Sequence, residues 1–237
     1  MAHITFNFHS QVLDFHQTVH LLVPDANIYG ALAGGADTEE IPVLYLLHGL
    51  KGAGHTWTSY TSIERYLYES EKKMVVVMPE MHNNFYTDQA IGWPYLKYVA
   101  EELPRIIETY LRVSPKRENT YVAGLSMGGR GALRYALAHP EKFGGVASMS
   151  YIPLDFDDPE NAANLKRVAA LDRRALESHA GTCEGEFSQG ATDLRQRNDM
   201  DKWGGMKAYL ASPENLWPHM KDWASLETAP KLYLCCG

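Results

Sequence analysis

Cysteine is scarce in this sequence, and the few copies form no recognisable framework. The chain has three cysteines, Cys183, Cys235 and Cys236, without a C-x-x-C pair. This excludes the spacing of a disulfide scaffold, a zinc site or a thioredoxin-like motif. The N-terminus also lacks the basic start and apolar core of a signal peptide. We therefore expect a reduced, cytoplasmic protein.

Long apolar runs and an excess of positive charge are missing as well. No run approaches the roughly 20 apolar residues that span a bilayer, and the net charge is −7 at pH 7. Because nucleic acids and anionic membrane surfaces attract basic faces, neither is predicted as a partner. The oligomeric state stays open, a homo-oligomer included.

Metal-binding patterns are the third absence. An acidic group at Asp155, Asp157 and Asp158 fails the EF-hand pattern, because Pro159 takes a ligand position and no glutamate ends the loop. We expect a solvated loop at this point. The sequence predicts no metal and no cofactor.

What is present is an alternation of strand and helix patterns. Predicted strands cover residues 3–8, 12–23, 41–47, 74–78, 121–123, 145–149 and 231–235. Predicted helices cover residues 59–71, 95–111 and 131–138, and Pro104 should bend the second of them or remove one of its hydrogen bonds. Such alternation predicts an α/β fold with a mostly parallel sheet that is covered on both faces.

The alternation is interrupted between residues 151 and 222. This stretch is polar and irregular, with short helical pieces near 161–179 and 199–210. Its apolar content is too thin for a separate folding unit. We expect one domain over 1–237, with a core at 1–150 and 223–237 and a lid inserted at 151–222.

The most specific motif is the G-x-S-x-G pattern of residues 124–128, which read GLSMG and are followed by Gly129. A strand pattern precedes it and a helix pattern follows it. Glycines two residues before and after the serine remove Cβ atoms that would block a sharp strand-to-helix turn. We expect Ser126 to be a catalytic nucleophile. The alternative is a glycine-rich turn with a capping serine.

A serine nucleophile needs N–H donors for the oxyanion of its transition state, each contributing about 3–4 kcal/mol. The expected first donor is the N–H of Met127, at the start of the predicted helix. The second is assigned to the N–H of Leu50, in the glycine-rich loop that follows the strand at 41–47. An ordinary glycine-rich strand end is the alternative for this loop.

Further polar and aromatic residues surround these motifs. We expect His48 to hold the loop rather than to act as the base, which follows the serine in this arrangement. Weak substrate-binding candidates are His48, Gly49, Tyr86 and Trp93. The stretch with His82, Asn83 and Asn84 follows a strand end, where α/β sheets bind ligands, but a hydrogen-bonded surface loop is equally compatible with it.

The chain resembles the esterase D family of α/β-hydrolases, which includes tributyrin-type, feruloyl and acetyl esterases and S-formylglutathione hydrolases. The matching stretches are residues 48–50, 75–79, 102–104, 123–129, 139–143 and 231–237. The resemblance implies an α/β-hydrolase fold and a serine carboxylesterase acting on small-molecule, short acyl esters. It carries over Ser126 as nucleophile and the Leu50 and Met127 amides as oxyanion hole.

The resemblance supplies neither an acid nor a histidine for Ser126, because in the family these follow the strand at 231–235. The later histidines, His139, His179 and His219, are predicted to cap a helix or to lie on the lid surface. We therefore expect a C-terminally incomplete copy that lacks the last strand and helix and turns over very slowly. Two alternatives remain: an S-formylglutathione hydrolase and a non-catalytic binding protein of the same fold.

Overall fold

The computed structural model describes residues 1–25, 41–70, 73–88, 92–151, 153–171, 193, 196–197 and 199–236. The chain divides into two compact units. The first unit comprises Met1–Thr87, Pro94–Tyr151 and Glu227–Gly237, and the second comprises Asp88–Trp93 and Ile152–Leu226. Among the helices described, none has the length and apolar character to cross a membrane.

The first unit contains a seven-stranded sheet with the order β1-β2-β4-β3-β5-β6-β7. Its strands are β1 (Ala2–Ser10), β2 (Phe15–Val23), β3 (Val43–Leu47), β4 (Val75–Pro79), β5 (Thr120–Leu125), β6 (Gly145–Met149) and β7 (Lys231–Cys235). The N-terminal hairpin is antiparallel and pairs antiparallel with β4, whereas β4, β3, β5, β6 and β7 run parallel. The predicted α/β class with a mostly parallel sheet is confirmed.

The centre of this sheet is apolar on both faces, as the uninterrupted runs of β3 and β4 predict. All five residues of β4 are buried. The helices in the described part of the first unit are α1 (Thr56–Tyr60), α2 (Ile63–Glu69), α3 (Tyr95–Lys97), α4 (Leu103–Tyr110) and α5 (Met127–Ala138). A 3₁₀ turn, Arg117–Asn119, precedes β5.

The single helix predicted over 59–71 is wrong, since α1 and α2 are separate. Thr61 is extended, with φ −134° and ψ 168°. Its hydroxyl donates to the Trp57 carbonyl, and the Ile63 N–H donates to the same hydroxyl at 3.3 Å. A threonine side chain that bonds nearby backbone groups competes with the helix, which explains the break.

Pro104 has no N–H group, and the helix around it departs from a regular α-helix. A π-helical turn, Tyr98–Glu102, joins α3 to α4, and Pro104 lies in the first turn of α4. Proline cannot donate to the carbonyl four residues back, which belongs to Ala100. The Lys142 ammonium donates to that carbonyl at 2.9 Å and so supplies a replacement donor.

The second unit is helical in its described part. Its elements are α6 (Pro159–Ala170), α7 (Met206–Leu210), α8 (Leu216–Lys221) and the 3₁₀ turn Trp223–Ser225. Leu165 and Val168 of α6 pack with Met200 and Tyr209 in a small core. The Asp158 carboxylate caps α6 by accepting from two N–H groups. Cys183 and His179 lie outside the described residues, and the lid role of this region stays a prediction.

Candidate active site

Ser126 occupies a strained turn between β5 and α5. Its φ of 53° and ψ of −111° lie outside the regions that residues with a side chain normally adopt. The turn is held from both sides: the Ser126 N–H donates to the Met149 carbonyl at 2.7 Å, and the Arg130 N–H donates to the Ser126 carbonyl at 3.0 Å. Such local strain is typical of functional sites.

The glycines that flank the serine are required by close backbone contacts. A Cβ atom on Gly124 would lie 2.3 Å from the Gly128 carbonyl. A Cβ atom on Gly128 would lie 2.3 Å from the carbonyl oxygen of Leu47, at the end of β3. The G-x-S-x-G spacing therefore packs the start of α5 directly against the central strands.

The Ser126 residue is exposed to solvent. It occupies the N-cap position of α5, yet its side chain makes no capping hydrogen bond with the described residues of that helix. This argues against the capping-serine alternative, because a structural cap would use the hydroxyl as an acceptor. Ser126 is thus exposed on the first unit, and its hydroxyl does not cap the helix that it precedes.

The loop of residues 48–54, here called the oxyanion loop, runs beside this serine. A Cβ atom on Gly49 would lie 3.8 Å from the Ser126 Cβ and 3.3 Å from the Leu125 carbonyl oxygen. The loop turns between Gly49 and Gly52, whose N–H donates to the Gly49 carbonyl at 3.0 Å, and Lys51 has a φ of 63°. This turn carries Leu50 at its corner.

The two predicted oxyanion donors have no structural hydrogen bond. Within the described residues, neither the Leu50 N–H nor the Met127 N–H donates to any acceptor. The Met127 N–H is at the first position of α5, where a helix leaves its N–H groups unpaired and partly positive. Both groups are therefore available to an acceptor outside the protein, and their assignment stays a prediction.

His48 is buried, with 1% of its surface exposed, and its assignment to substrate binding stays a prediction. Its Nδ1 donates to the Gly49 carbonyl at 2.9 Å, and its Nε2 accepts the Met81 N–H at 3.1 Å. Both ring nitrogens are thus engaged by backbone groups, one within the oxyanion loop and one after β4. The geometry favours the loop-holding interpretation.

Tyr86 is fully buried, and its assignment to substrate binding also stays a prediction. Its hydroxyl donates to the His48 carbonyl at 2.8 Å, and its ring lies where a Cβ atom on Gly131 would approach within 2.6 Å. Burial, helped by the charge of Glu80, raises the pKa of Tyr86 well above its ordinary value. Trp93 is exposed and belongs to the second unit, and its role stays a prediction.

The residues after β4 form a hydrogen-bonded loop, here called the brace loop, over residues 80–86. The Asn83 Oδ1 accepts the Lys51 N–H at 2.8 Å, and the Asn84 Oδ1 accepts the Tyr86 N–H at 2.9 Å. The His82 Nδ1 lies 3.1 Å from the Tyr95 hydroxyl. The stretch is thus a hydrogen-bonded loop, and whether it also lines a pocket stays a prediction.

Glu80 is the residue of this region that the sequence motifs did not identify. Its carboxylate accepts the Gly54 N–H at 2.9 Å and the His82 N–H at 3.0 Å, and lies 3.5 Å from the His48 Nε2. Partial burial acts to raise its pKa, but the contact with His48 and the two N–H bonds outweigh burial and lower the pKa to about 2. The only signal in the sequence was its position at a strand end, directly after Pro79.

A buried cation holds the other end of the brace loop. Arg130 of α5 is 2% exposed and donates to the Phe85 carbonyl at 2.9 Å. Three residues of the brace loop have a positive φ without being glycine, namely His82, Phe85 and Tyr86. A conformation of this cost persists only where surrounding contacts hold it. In the described part of the chain, no group of three metal-ligating side chains is assembled.

Comparison with known proteins gives one family and several relatives. A family model described as "Putative esterase" matches residues 10–214. The chain is 30% identical over 151 residues to an acetyl esterase from Caldicellulosiruptor saccharolyticus, which covers 63% of this chain and 56% of that protein. It spans about half the length of the relatives that it matches in sequence.

Solved structures extend the similarity over the whole chain. The fluorophosphonate-binding serine hydrolase FphF of Staphylococcus aureus is 28% identical, with a TM-score of 0.70, and the match covers 100% of this chain and 79% of that one. The S-formylglutathione hydrolase FrmB of the same species is 26% identical, with a TM-score of 0.67 and the same coverage.

Proposed function

This chain belongs to the Esterase family and is esterase D-like, and on that premise we propose that it hydrolyses carboxylic esters through an acyl-enzyme on Ser126. The observation that carries the proposal is the strained, exposed serine between β5 and α5. The Ser126 hydroxyl attacks the ester carbonyl, the alcohol leaves, and water then releases the acid from the serine.

The negative oxygen of each tetrahedral intermediate would be held by the Met127 and Leu50 N–H groups. Their lack of a structural acceptor and the closeness of Gly49 to Ser126 support this role. Backbone donors that are fixed before the reaction stabilise the developing charge without reorganisation. An N–H at a helix start adds the partial positive charge of the helix.

A base is needed to take the proton of Ser126. His48 is not suited to the task, because both of its ring nitrogens are engaged in the loops. His139 is not suited either, because it follows the last residue of α5, a helix that is about 18 Å long and begins directly after Ser126. We propose that the histidine and the aspartate that orients it follow β7 in the full protein, as the resemblance to the esterase D family implies.

Two substrate classes fit this chemistry. Short acyl esters are favoured by the acetyl esterase relative, and a thioester, S-formylglutathione, is favoured by the similarity to FrmB. Both substrates present a small acyl group and pass through the same kind of intermediate. Comparing kcat/KM for p-nitrophenyl acetate and S-formylglutathione on the full-length protein separates them, since the preferred substrate should be favoured by orders of magnitude.

The proposal is tested by Ser126→Ala in the full-length protein, with Ser150→Ala as the matched control. Ser150 is also exposed and has a φ of 52°, but follows the neighbouring strand β6. We expect Ser126→Ala to lower kcat by about 10⁴-fold or more, while Ser150→Ala stays within a few-fold of the parent. Equal hydrolysis by Ser126→Ala and parent would reject the nucleophile and support a non-catalytic binding protein.

A further inference from the structure

We propose that Glu80 is a positioning residue of this site, which fixes the oxyanion loop so that the Leu50 N–H faces the Ser126 hydroxyl. The inference rests on the proposed function, because it assigns a cause to the geometry of that same oxyanion hole. Glu80 acts through the backbone and does not touch the substrate.

The parallel pairing of β3 and β4 brings the two loops to the same edge of the sheet. The oxyanion loop follows β3, and the brace loop follows β4. The Glu80 carboxylate is bonded to one N–H of each: Gly54 in the oxyanion loop and His82 in the brace loop. One side chain thereby ties the end of the oxyanion loop to the neighbouring strand end.

Three further bonds cross between the same two loops. The His48 ring accepts the Met81 N–H, the Asn83 side chain accepts the Lys51 N–H, and the Tyr86 hydroxyl donates to the His48 carbonyl. Glu80 lies next to this group, with its carboxylate 3.5 Å from the His48 Nε2. Every one of these bonds holds the oxyanion loop from the brace-loop side.

The loop needs outside support because its own contacts are few. Within the described residues its only internal backbone bond closes the turn from Gly49 to Gly52. Lys51, beside Leu50, holds a φ of 63° that disfavours side chains. If the Glu80 bonds are removed, we expect the turn from Gly49 to Gly52 to change its conformation. The Leu50 N–H would then no longer point toward the Ser126 side chain. A misplacement of about 1 Å at an active site can cost about 100-fold in rate.

The test compares Glu80→Ala and Glu80→Gln with Glu69→Ala in the full-length protein. Glu69 is an exposed glutamate at the end of α2 and serves as the matched control. The Leu50 N–H would stabilise the oxyanion of the transition state rather than the bound substrate. Glu80→Ala should therefore lower kcat about 10- to 100-fold and change KM less than about three-fold. Glu80→Gln keeps one acceptor oxygen and should fall between Glu80→Ala and the parent.

Two additional readouts separate positioning from general destabilisation. Hydrogen exchange at the amides of residues 49–54 should speed up in Glu80→Ala, while the amides of β5 and α5 keep their protection. The preference for an ester over its thiono analogue, in which sulfur replaces the carbonyl oxygen, should shrink, since N–H donors favour the oxyanion. A purely structural defect would lower the rates of hydrolysis of both substrates equally.

The outcomes are distinguishable from a failure of the proposed function. If Ser126→Ala removes activity while both Glu80 variants keep parental kcat and loop protection, the positioning role is rejected and the nucleophile stands. If Ser126→Ala hydrolyses ester as fast as the parent, the proposed function is rejected, and with it the reaction that Glu80 would serve. A folded Glu80→Gln with an unchanged thiono preference also overturns the inference.

Discussion

The turn at Ser126 and the oxyanion loop lie side by side in the first unit, yet they are held by different forces. The turn is fixed by backbone sterics, because Gly124 and Gly128 leave no room for a Cβ atom. The oxyanion loop is fixed by hydrogen bonds to the brace loop, chiefly those made by Glu80, His48 and Tyr86. The Ser126 turn is therefore held by close packing of backbone atoms, and the oxyanion loop is held by hydrogen bonds.

This difference predicts how each half responds to mutation. A Cβ atom added at Gly124 or Gly128 should be strongly destabilising, because a close-packed core has no space for it. Hydrogen bonds from several side chains share the task, so the loss of one should be graded and should depend on whether water can replace it. The four predictions below test this contrast, from the largest expected effect to the smallest.

The largest effect is expected for Gly128→Ala. The new Cβ would lie 2.3 Å from the Leu47 carbonyl oxygen, so α5 must shift away from β3 or the turn must open. We expect the free energy of unfolding to fall by about 3 kcal/mol, measured by urea denaturation, together with loss of esterase activity.

Gly145→Ala on β6 is the control for this prediction. Its Cβ would come no closer than 3.1 Å, to a side-chain ring atom of Tyr121 that can move. We expect a loss of about 1 kcal/mol or less. Equal stability losses for the two alanine variants would show that sterics at the turn are not special.

A smaller effect is expected for Tyr86→Phe, which removes the hydroxyl that donates to the His48 carbonyl. The buried carbonyl is left without its donor, which should cost about 1–2 kcal/mol in the free energy of unfolding. Tyr121→Phe is the matched control, because its hydroxyl donates to the exposed Glu118 carbonyl and water can take its place. If both changes lower the free energy of unfolding equally, burial does not determine how much such a hydrogen bond stabilises the protein.

The low pKa of Glu80 predicts a dependence of stability on acid. Its pKa is lowered from 4.5 to about 2, so the folded state is stabilised above pH 4.5 and loses this contribution as the pH falls toward 2. The parent should therefore lose more free energy of unfolding than Glu80→Gln between about pH 5 and pH 3. His48 and His20 also face this carboxylate, so the difference between the two proteins includes the loss of their interaction with Glu80.

If the free energy of unfolding falls equally with pH in the parent and in Glu80→Gln, Glu80 is not the cause of the loss of stability in acid. The comparison needs unfolding curves at each pH in the same buffer and salt, because exposed charges contribute to the slope of both proteins.

The smallest effect on stability is expected for Asn83→Ala. Its bond to the Lys51 N–H is exposed, so water can replace the lost acceptor and the free energy of unfolding should change by about 0.5 kcal/mol or less. The turn next to Leu50 is nevertheless loosened, and we expect kcat to fall several-fold at constant KM. Asn7→Ala on the edge strand β1 is the control, and a stability loss above about 1 kcal/mol for Asn83→Ala would contradict this account.

The fold and the serine turn could be predicted because their causes are local. Continuous apolar runs at β3 and β4 indicate buried parallel strands, and the glycines around Ser126 indicate a tight strand-to-helix turn. The break between α1 and α2 was missed because it depends on the Thr61 hydroxyl, whose choice of partner cannot be read from apolar spacing.

The hydrogen bonds between the two loops of the candidate site could not be predicted, because they join residues far apart in the chain. His48 and Tyr86 carry the polar groups of ligand-binding residues, yet their polar atoms bond to each other's loops. Glu80 lies 26 residues from its partner Gly54. Only the register of β3 against β4 brings such residues together, and a single sequence does not reveal it.

The central claim is that Ser126 is the nucleophile, and trapping the acyl-enzyme analogue tests it most directly. The full-length protein is treated with a serine-directed fluorophosphonate, and the modified peptide is identified by mass spectrometry. The account predicts one adduct on Ser126, which is absent from Ser126→Ala and retained by Ser150→Ala. An adduct on a different residue, or equal labelling of Ser126→Ala, would contradict it.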